Sequence, residues 1–172
     1  MLQNLIVDLN SFEIIDLIGE GPRGKVYLVE EKRTGKYYSA KVLNKPISSP
    51  TLQNNFNELI ILYSKIQHPA ILPLYGINNN DFSNESRPTI FTDYIKNGSI
   101  SDLVQRNRQY TLSNKYFILL VLSHGMEYLH SHNIVHGSLK PDNVLINENN
   151  FPTICDFGNE QTRSSSIFQD GS

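Results

Sequence analysis

The chain has 172 residues, with 15 Lys+Arg against 17 Asp+Glu, a formal net charge of -2 and 39% hydrophobic residues. That length suits one domain of roughly 100–200 residues, and the near-balanced charge gives no reason to expect nucleic acid or an anionic membrane as a partner. A single cysteine, Cys155, excludes an intramolecular disulfide; no apolar run reaches the roughly 18–20 residues that span a bilayer, and the N-terminus lacks a secretory leader pattern, so a soluble, cytoplasmic protein is expected.

Residues Phe12–Ile18 alternate loosely and run into a glycine cluster, Gly19-Glu20-Gly21-Pro22-Arg23-Gly24. Lys25–Glu30 and Tyr37–Leu43 read as strands around a Thr34-Gly35-Lys36 turn, which gives three short antiparallel strands. A Pro and Ser linker, Lys45–Pro50, precedes a helix whose apolar residues Leu52, Phe56, Leu59, Ile60, Tyr63 and Ile66 recur at three and four. His68-Pro69 closes it, because a proline biases the residue before it out of the helical region. Ile71–Ile77 and Thr89–Ile95 read as two more strands, separated by a polar loop. An Asn97-Gly98-Ser99 turn leads to a short helix around Asp102–Asn107, and a long helix follows from Leu112 to Ser131 with Ser113 as its expected cap. That helix is nearly apolar for a whole turn, Phe117–Leu122, which predicts burial on more than one face. Val144–Ile146 and Thr153–Cys155 read as short strands around an asparagine-rich turn, and the tail from Gln161 is polar. A sheet-rich half thus gives way to a helical half across Asp93–Gly98.

Several segments carry chemistry. Gly19-x-Gly21-x-x-Gly24-x-Val26 lies between two strands, where glycines let backbone amides approach phosphate oxygens. A dinucleotide fold is disfavoured, since that fingerprint opens a helix and a strand follows here. Lys41 sits in a strand of small and apolar residues, and Glu58 lies beside the apolar stripe of the next helix. Further on stands His136-Gly137-Ser138-Leu139-Lys140-Pro141-Asp142-Asn143, and after twelve intervening residues Asp156-Phe157-Gly158.

In this order and spacing the segments resemble the eukaryotic protein kinases. The resemblance implies an α+β, two-lobe fold: a small antiparallel-sheet N-lobe, about 12–95, and the first part of a mainly helical C-lobe, about 96–172. It implies that Gly19, Gly21 and Gly24 cover ATP phosphates, that Lys41 binds those phosphates and is held by Glu58, and that Asn143 and Asp156 hold magnesium. Asp93 and Ile95 match the backbone groups that pair with the adenine edge. Thr92 matches the residue guarding the pocket behind the ring, and Val26, Ser39 and Leu145 match its apolar sandwich. Leu62, Leu74, His136 and Phe157 match an internal spine. The stretches 61–76 and 93–104 look most like the tyrosine-kinase-like group of serine/threonine kinases.

The chain departs from the family where it writes His136-Gly137-Ser138 for His-Arg-Asp. Ser138 carries no charge near neutral pH and cannot serve as the base that takes the acceptor's proton, a loss of about 10²–10⁴ in transfer rate. Lys140, beside it, is retained, and the resemblance implies that it could still contact a γ-phosphate. Gly137 removes the arginine that pairs with a phosphorylated activation segment. Pro22 removes one amide donor from the phosphate loop. The sequence also stops soon after Gly158, so a truncated domain with uncovered helix faces is expected, and Ser164, Ser165 and Ser166 are candidate phosphoacceptors. Three readings stay open: an ATP-binding pseudokinase working through a protein partner, an active ATP-dependent protein kinase with a protein substrate, and a non-functional truncated fragment.

Overall fold

A computed structural model describes residues 2–46 and 49–157. Ile47 and Ser48 of the expected linker, the Leu52 side chain, and Gly158 with the serine tail lie outside the described residues. The chain forms two compact units: residues up to Ile66 together with Pro73–Tyr94, and Gln67–Leu72 together with the described residues from Ile95 onward.

The first unit is built on a five-stranded antiparallel sheet of β1 (Phe12–Gly21), β2 (Gly24–Glu31), β3 (Tyr37–Leu43), β4 (Leu74–Asn78) and β5 (Thr89–Asp93), ordered β1-β2-β3-β5-β4. Helix α1 (Pro50–Lys65) covers one face. Strand alternation divides the two faces cleanly. Phe12, Val29, Tyr38, Ala40 and Phe91 form a buried cluster on one side, with Val7, Leu9, Tyr27 and Phe82 packed against it. On the other side Phe56 and Ile60 of α1 meet Ile77, with Leu43, Leu74 and Ile90 around them. The β4 edge is not left open, since the Val7 amide donates to the Ile77 carbonyl at 2.9 Å.

The strand expected over Ile71–Ile77 is two separate pairings. Pro73 lacks an amide hydrogen and interrupts the ladder. Beyond it β4 joins the sheet, while before it the Leu72 amide donates to the Ile154 carbonyl at 2.9 Å, within the second unit. The loop between β4 and β5 is also more ordered than its polarity suggests. Asp81 is buried and its carboxylate accepts from the Ser83 and Glu85 amides at 2.8 and 3.0 Å.

The second unit holds α2 (Ile100–Gln105), α3 (Leu112–Ser131) and a two-stranded ribbon of β6 (Val144–Ile146) and β7 (Pro152–Ile154). Helix α2 starts two residues earlier than expected because Ser99 and Asp102 form a reciprocal cap: the Asp102 amide donates to the Ser99 hydroxyl at 3.2 Å, and the Ser99 amide donates to the Asp102 carboxylate at 2.7 Å. The cap of α3 is Thr111, whose hydroxyl accepts from the Asn114 amide, and Ser113 lies inside the helix. Gly125 allows α3 to lie close on its neighbours, since a Cβ there would stand 2.9 Å from Ile154 Cδ1 and 3.0 Å from Ala70 Cβ. Burial of α3 is one-sided, contrary to the expectation from its apolar turn. Ile118, Gly125 and Leu129 are buried, whereas Tyr116, Leu119 and Leu120 are exposed. The α+β expectation, a small sheet unit followed by a mainly helical one, holds.

Candidate functional site

The glycine segment is the tip of the β1–β2 hairpin, with Gly21 paired to Gly24 across a two-residue turn of Pro22 and Arg23. The three glycines do different jobs. A Cβ on Gly24 would stand 2.2 Å from the Val42 carbonyl oxygen, so glycine is required there by the approach of β3. A Cβ on Gly19 would make only ordinary contact with Val26, at 3.6 Å. Around Gly21, no atom of the described residues beyond its chain neighbours lies within 4 Å of that position, so packing among them makes no demand there.

Register places the rest of this half. Val26, Lys41, Ile90 and Ile77 form one transverse row, and Leu28, Ser39, Thr92 and Leu74 the next. Cross-strand partners point to the same side, and Ile77 and Ile90 pack with Phe56 and Ile60 of α1. Lys41 is therefore on the face that α1 covers, together with Val26, Ser39 and Thr92. Glu58 is an exposed residue of α1, two positions from both Phe56 and Ile60. The Asp93 side chain turns to the opposite face, where its carboxylate meets Lys36 Nζ at 3.0 Å. The hydrogen bond from Lys36 to Asp93 raises the Lys36 pKa against the opposing effect of burial.

In the second unit the residues of the loop before β6 and those after β7 come together. The Cys155 amide donates to the Asn143 carbonyl at 3.0 Å, which sets Asp156 beside Asn143 at the end of the ribbon. Asn143 is buried, and its side-chain NH₂ donates to the Ser138 carbonyl at 2.7 Å and the Ser138 hydroxyl at 3.3 Å. That fixes the amide's orientation and turns its oxygen the other way. His136 is 1% exposed, its Nδ1 accepts from the Ser138 amide at 3.3 Å, and its ring meets buried Phe157 edge-on at 6.4 Å. Gly137 takes φ +74°, and Asp156 adopts φ 65°, a left-handed conformation uncommon outside glycine and found where function holds strain. Lys140 lies 3.7 Å from the Asp142 carboxylate with both side chains largely exposed. Leu145 bridges to Ser99, and Ile95 accepts the turn bond from Gly98 at 3.0 Å.

A metal carried here would be a hard, oxygen-liganded ion. Among the described residues no group of three or more His, Cys, Asp or Glu could hold one by itself. One carboxylate and one amide oxygen, completed by phosphate oxygens and water, is how magnesium is bound in nucleotide sites.

Residues 12–169 match the protein kinase domain family. The chain belongs to that family. It is similar to an Aurora kinase of Yarrowia lipolytica, 30% identical over 151 residues, covering 87% of this chain and 40% of that protein. It is also similar to protein kinase 3 of Dictyostelium discoideum, 30% identical over 161 residues, covering 92% of this chain and 17% of that protein. A third relative is the cAMP-dependent protein kinase catalytic subunit of the same organism, 32% identical over 151 residues, covering 87% of this chain and 23% of that protein. The chain thus spans less than half the length of each of these relatives. The protein kinase fold, with its ATP-binding character, accounts for the sheet, for α1 beside the Lys41 face, and for the loop and ribbon around Asn143. Among the described residues no helix is long and apolar enough to cross a membrane.

Two features of the site escaped sequence reasoning. One is Asn44, whose side chain contacts the hairpin tip at Gly21 and Pro22. The other is that Gly24 answers a steric demand of β3, which no spacing motif separates from a phosphate role.

Proposed function

We propose that this protein kinase domain binds magnesium-ATP and transfers phosphate poorly, acting as a pseudokinase. The observation that carries the reading is Ser138. By the resemblance it stands where the family's aspartate would take the acceptor's proton, and its carbonyl and hydroxyl accept from the Asn143 amide. A neutral hydroxyl contributes no base near pH 7. The nucleotide-binding positions carry no comparable loss. Gly19 and Gly21 leave the hairpin tip unobstructed, Lys41 and Glu58 supply a cation and its holder, and Asn143 and Asp156 are adjacent at the ribbon end. Val26, Leu145 and the backbones of Asp93 and Ile95 would hold the adenine. Lys140 would meet the γ-phosphate. When bound, magnesium would neutralise phosphate charge. The output of such a domain is a protein partner that reads its nucleotide state, and the cytoplasm is its proposed location. The stretches 61–76 and 93–104 support the tyrosine-kinase-like group as its subgroup.

Calorimetric titration tests this directly. Magnesium-ATP is expected to bind, Lys41→Ala to abolish binding, and phosphate transfer to a generic protein substrate to stay at background. No heat of binding in the wild-type chain overturns the reading, as does turnover lost on Asp156→Ala, which would mark an active kinase.

A further inference from the structure

The tip of the glycine hairpin is tied to the end of β3 by one side chain. Asn44 follows β3 directly. Its side-chain amide donates to the Gly21 carbonyl at 3.1 Å and the Pro22 carbonyl at 3.2 Å, and its backbone amide donates to the Arg23 carbonyl at 3.1 Å. Three consecutive carbonyls of the tip are thus gathered on one residue. The anchor is firm on the other side: the Leu43 amide donates at 2.9 Å to the carbonyl of Pro88, a fully buried residue. Gly24 reinforces it, since only a residue without Cβ fits 2.2 Å from the Val42 carbonyl oxygen.

The consequence follows from peptide geometry. In a trans peptide the N–H lies opposite the C=O of the same unit. Drawing the Pro22 carbonyl toward Asn44 aims the Arg23 amide hydrogen away from Asn44. Drawing the Arg23 carbonyl the same way does this for the Gly24 amide. Pro22 itself has no amide hydrogen and a fixed φ, so the tip has few ways to rearrange.

We propose that Asn44 is a positioning residue that clamps the glycine-hairpin tip to β3 and orients its backbone for the phosphates of a nucleoside triphosphate. The inference rests on the nucleotide-binding reading and adds to it which residue sets the loop. The clamp acts on the phosphate end alone, so its loss separates ATP from adenosine. The clamp adds to the stiffness that Pro22 gives the loop, and a preset tip loses less entropy on binding.

The test uses the full chain with magnesium-ATP and adenosine as probes, and amide hydrogen exchange as a readout independent of nucleotide. Asn44→Asp keeps the shape but offers no side-chain N–H donor. It is expected to weaken magnesium-ATP by about three- to tenfold, the weight of a side-chain hydrogen bond to backbone, and to leave adenosine affinity unchanged. In the nucleotide-free protein the protection factor of the amide at position 44, which donates to the Arg23 carbonyl, should fall by about the same factor. Asn44→Gln, which keeps the donor, should recover part of both effects. Unchanged protection together with an unchanged ATP-to-adenosine ratio in Asn44→Asp overturns the proposal. A wild-type chain that binds neither probe overturns the nucleotide reading and with it the phosphate role, while the protection factors still report whether the clamp exists.

Discussion

The Asn143 side-chain amide donates at once to the Ser138 carbonyl, at 2.7 Å, and to the Ser138 hydroxyl, at 3.3 Å. The loop is therefore fixed at Ser138, the residue proposed to stand where the family's base would act, and a serine there carries no charge. A carboxylate at 138 would accept from the same amide that the hydroxyl now occupies.

Ser138→Asp is accordingly expected to raise phosphotransfer to a generic substrate by about 10²–10⁴, the usual contribution of a positioned acid–base group. Nucleotide affinity should change little, since Asn143 and Asp156 keep their places. Single-turnover measurements with saturating magnesium-ATP decide it. Equal background rates in the two proteins would mean that more than the base is missing.

The glycine hairpin separates stability from binding at two positions of one motif. Gly24→Ala drives a Cβ into the Val42 carbonyl oxygen, 2.2 Å away, and neither backbone can yield cheaply. A loss of about 1–3 kcal/mol is expected from such overpacking. Gly21→Ala meets no atom of the described residues beyond its chain neighbours within 4 Å, and Gly21 is not at positive φ, so the melting temperature should hold. Its methyl group instead enters the space proposed for phosphate and should weaken magnesium-ATP. Thermal unfolding and calorimetry on the two variants check both halves, and equal destabilisation by the two would contradict the division.

Much of this was legible in the sequence, and particular residues show why. The limits of β3 and α3 follow from periodicity, which reports burial on one face. The Lys41 strand, the Ser138 loop and the Asp156 segment were visible as ordered motifs. Periodicity failed where a local bond competed with it. Pro73 divides an apolar run that looks continuous, and the Ser99–Asp102 cap moves α2 toward the N-terminus. It failed again at Phe117–Leu122, where apolarity implies burial but carries no information about whether a partner is present. Asn44 was illegible for another reason. Its role depends on the closure of a hairpin onto a third strand, which no local pattern records.

The reciprocal cap at α2 gives a pH dependence with a definite sign. Burial of Asp102 opposes its charge, but hydrogen bonds from the Ser99 hydroxyl and amide, with the Arg106 charge, outweigh it and hold the carboxyl below its ordinary value. A carboxyl depressed in the folded state adds stability above its unfolded pKa and loses it as pH falls through the folded one. Asp102→Ala should cost about 1 kcal/mol near pH 7, in the range of a lost helix cap. The gap from wild type should shrink as pH falls below about 4. Denaturant unfolding at pH 7 and pH 3 measures it, and a constant gap would show that the charge is not what the cap uses.

Helix α3 predicts how the chain behaves at high concentration. Leu112, Tyr116 and Leu119 recur at four and three along it and are 66%, 64% and 62% exposed, with Leu120 beside them. Its buried residues, Ile118, Gly125 and Leu129, lie on the other side, packed within the unit. A stripe of large apolar side chains facing water favours association, because pairing removes that area from solvent while nothing in the core depends on it. Sedimentation velocity on the wild-type chain should therefore shift with concentration in the micromolar range. Leu112→Glu combined with Leu119→Glu should abolish the shift. The same pair should leave the melting temperature within the effect of ordinary surface substitutions, about 0.5 kcal/mol each. A wild-type chain that sediments as a monomer at every concentration would refute the association, and a large loss of stability in the double variant would show that the stripe packs within the molecule.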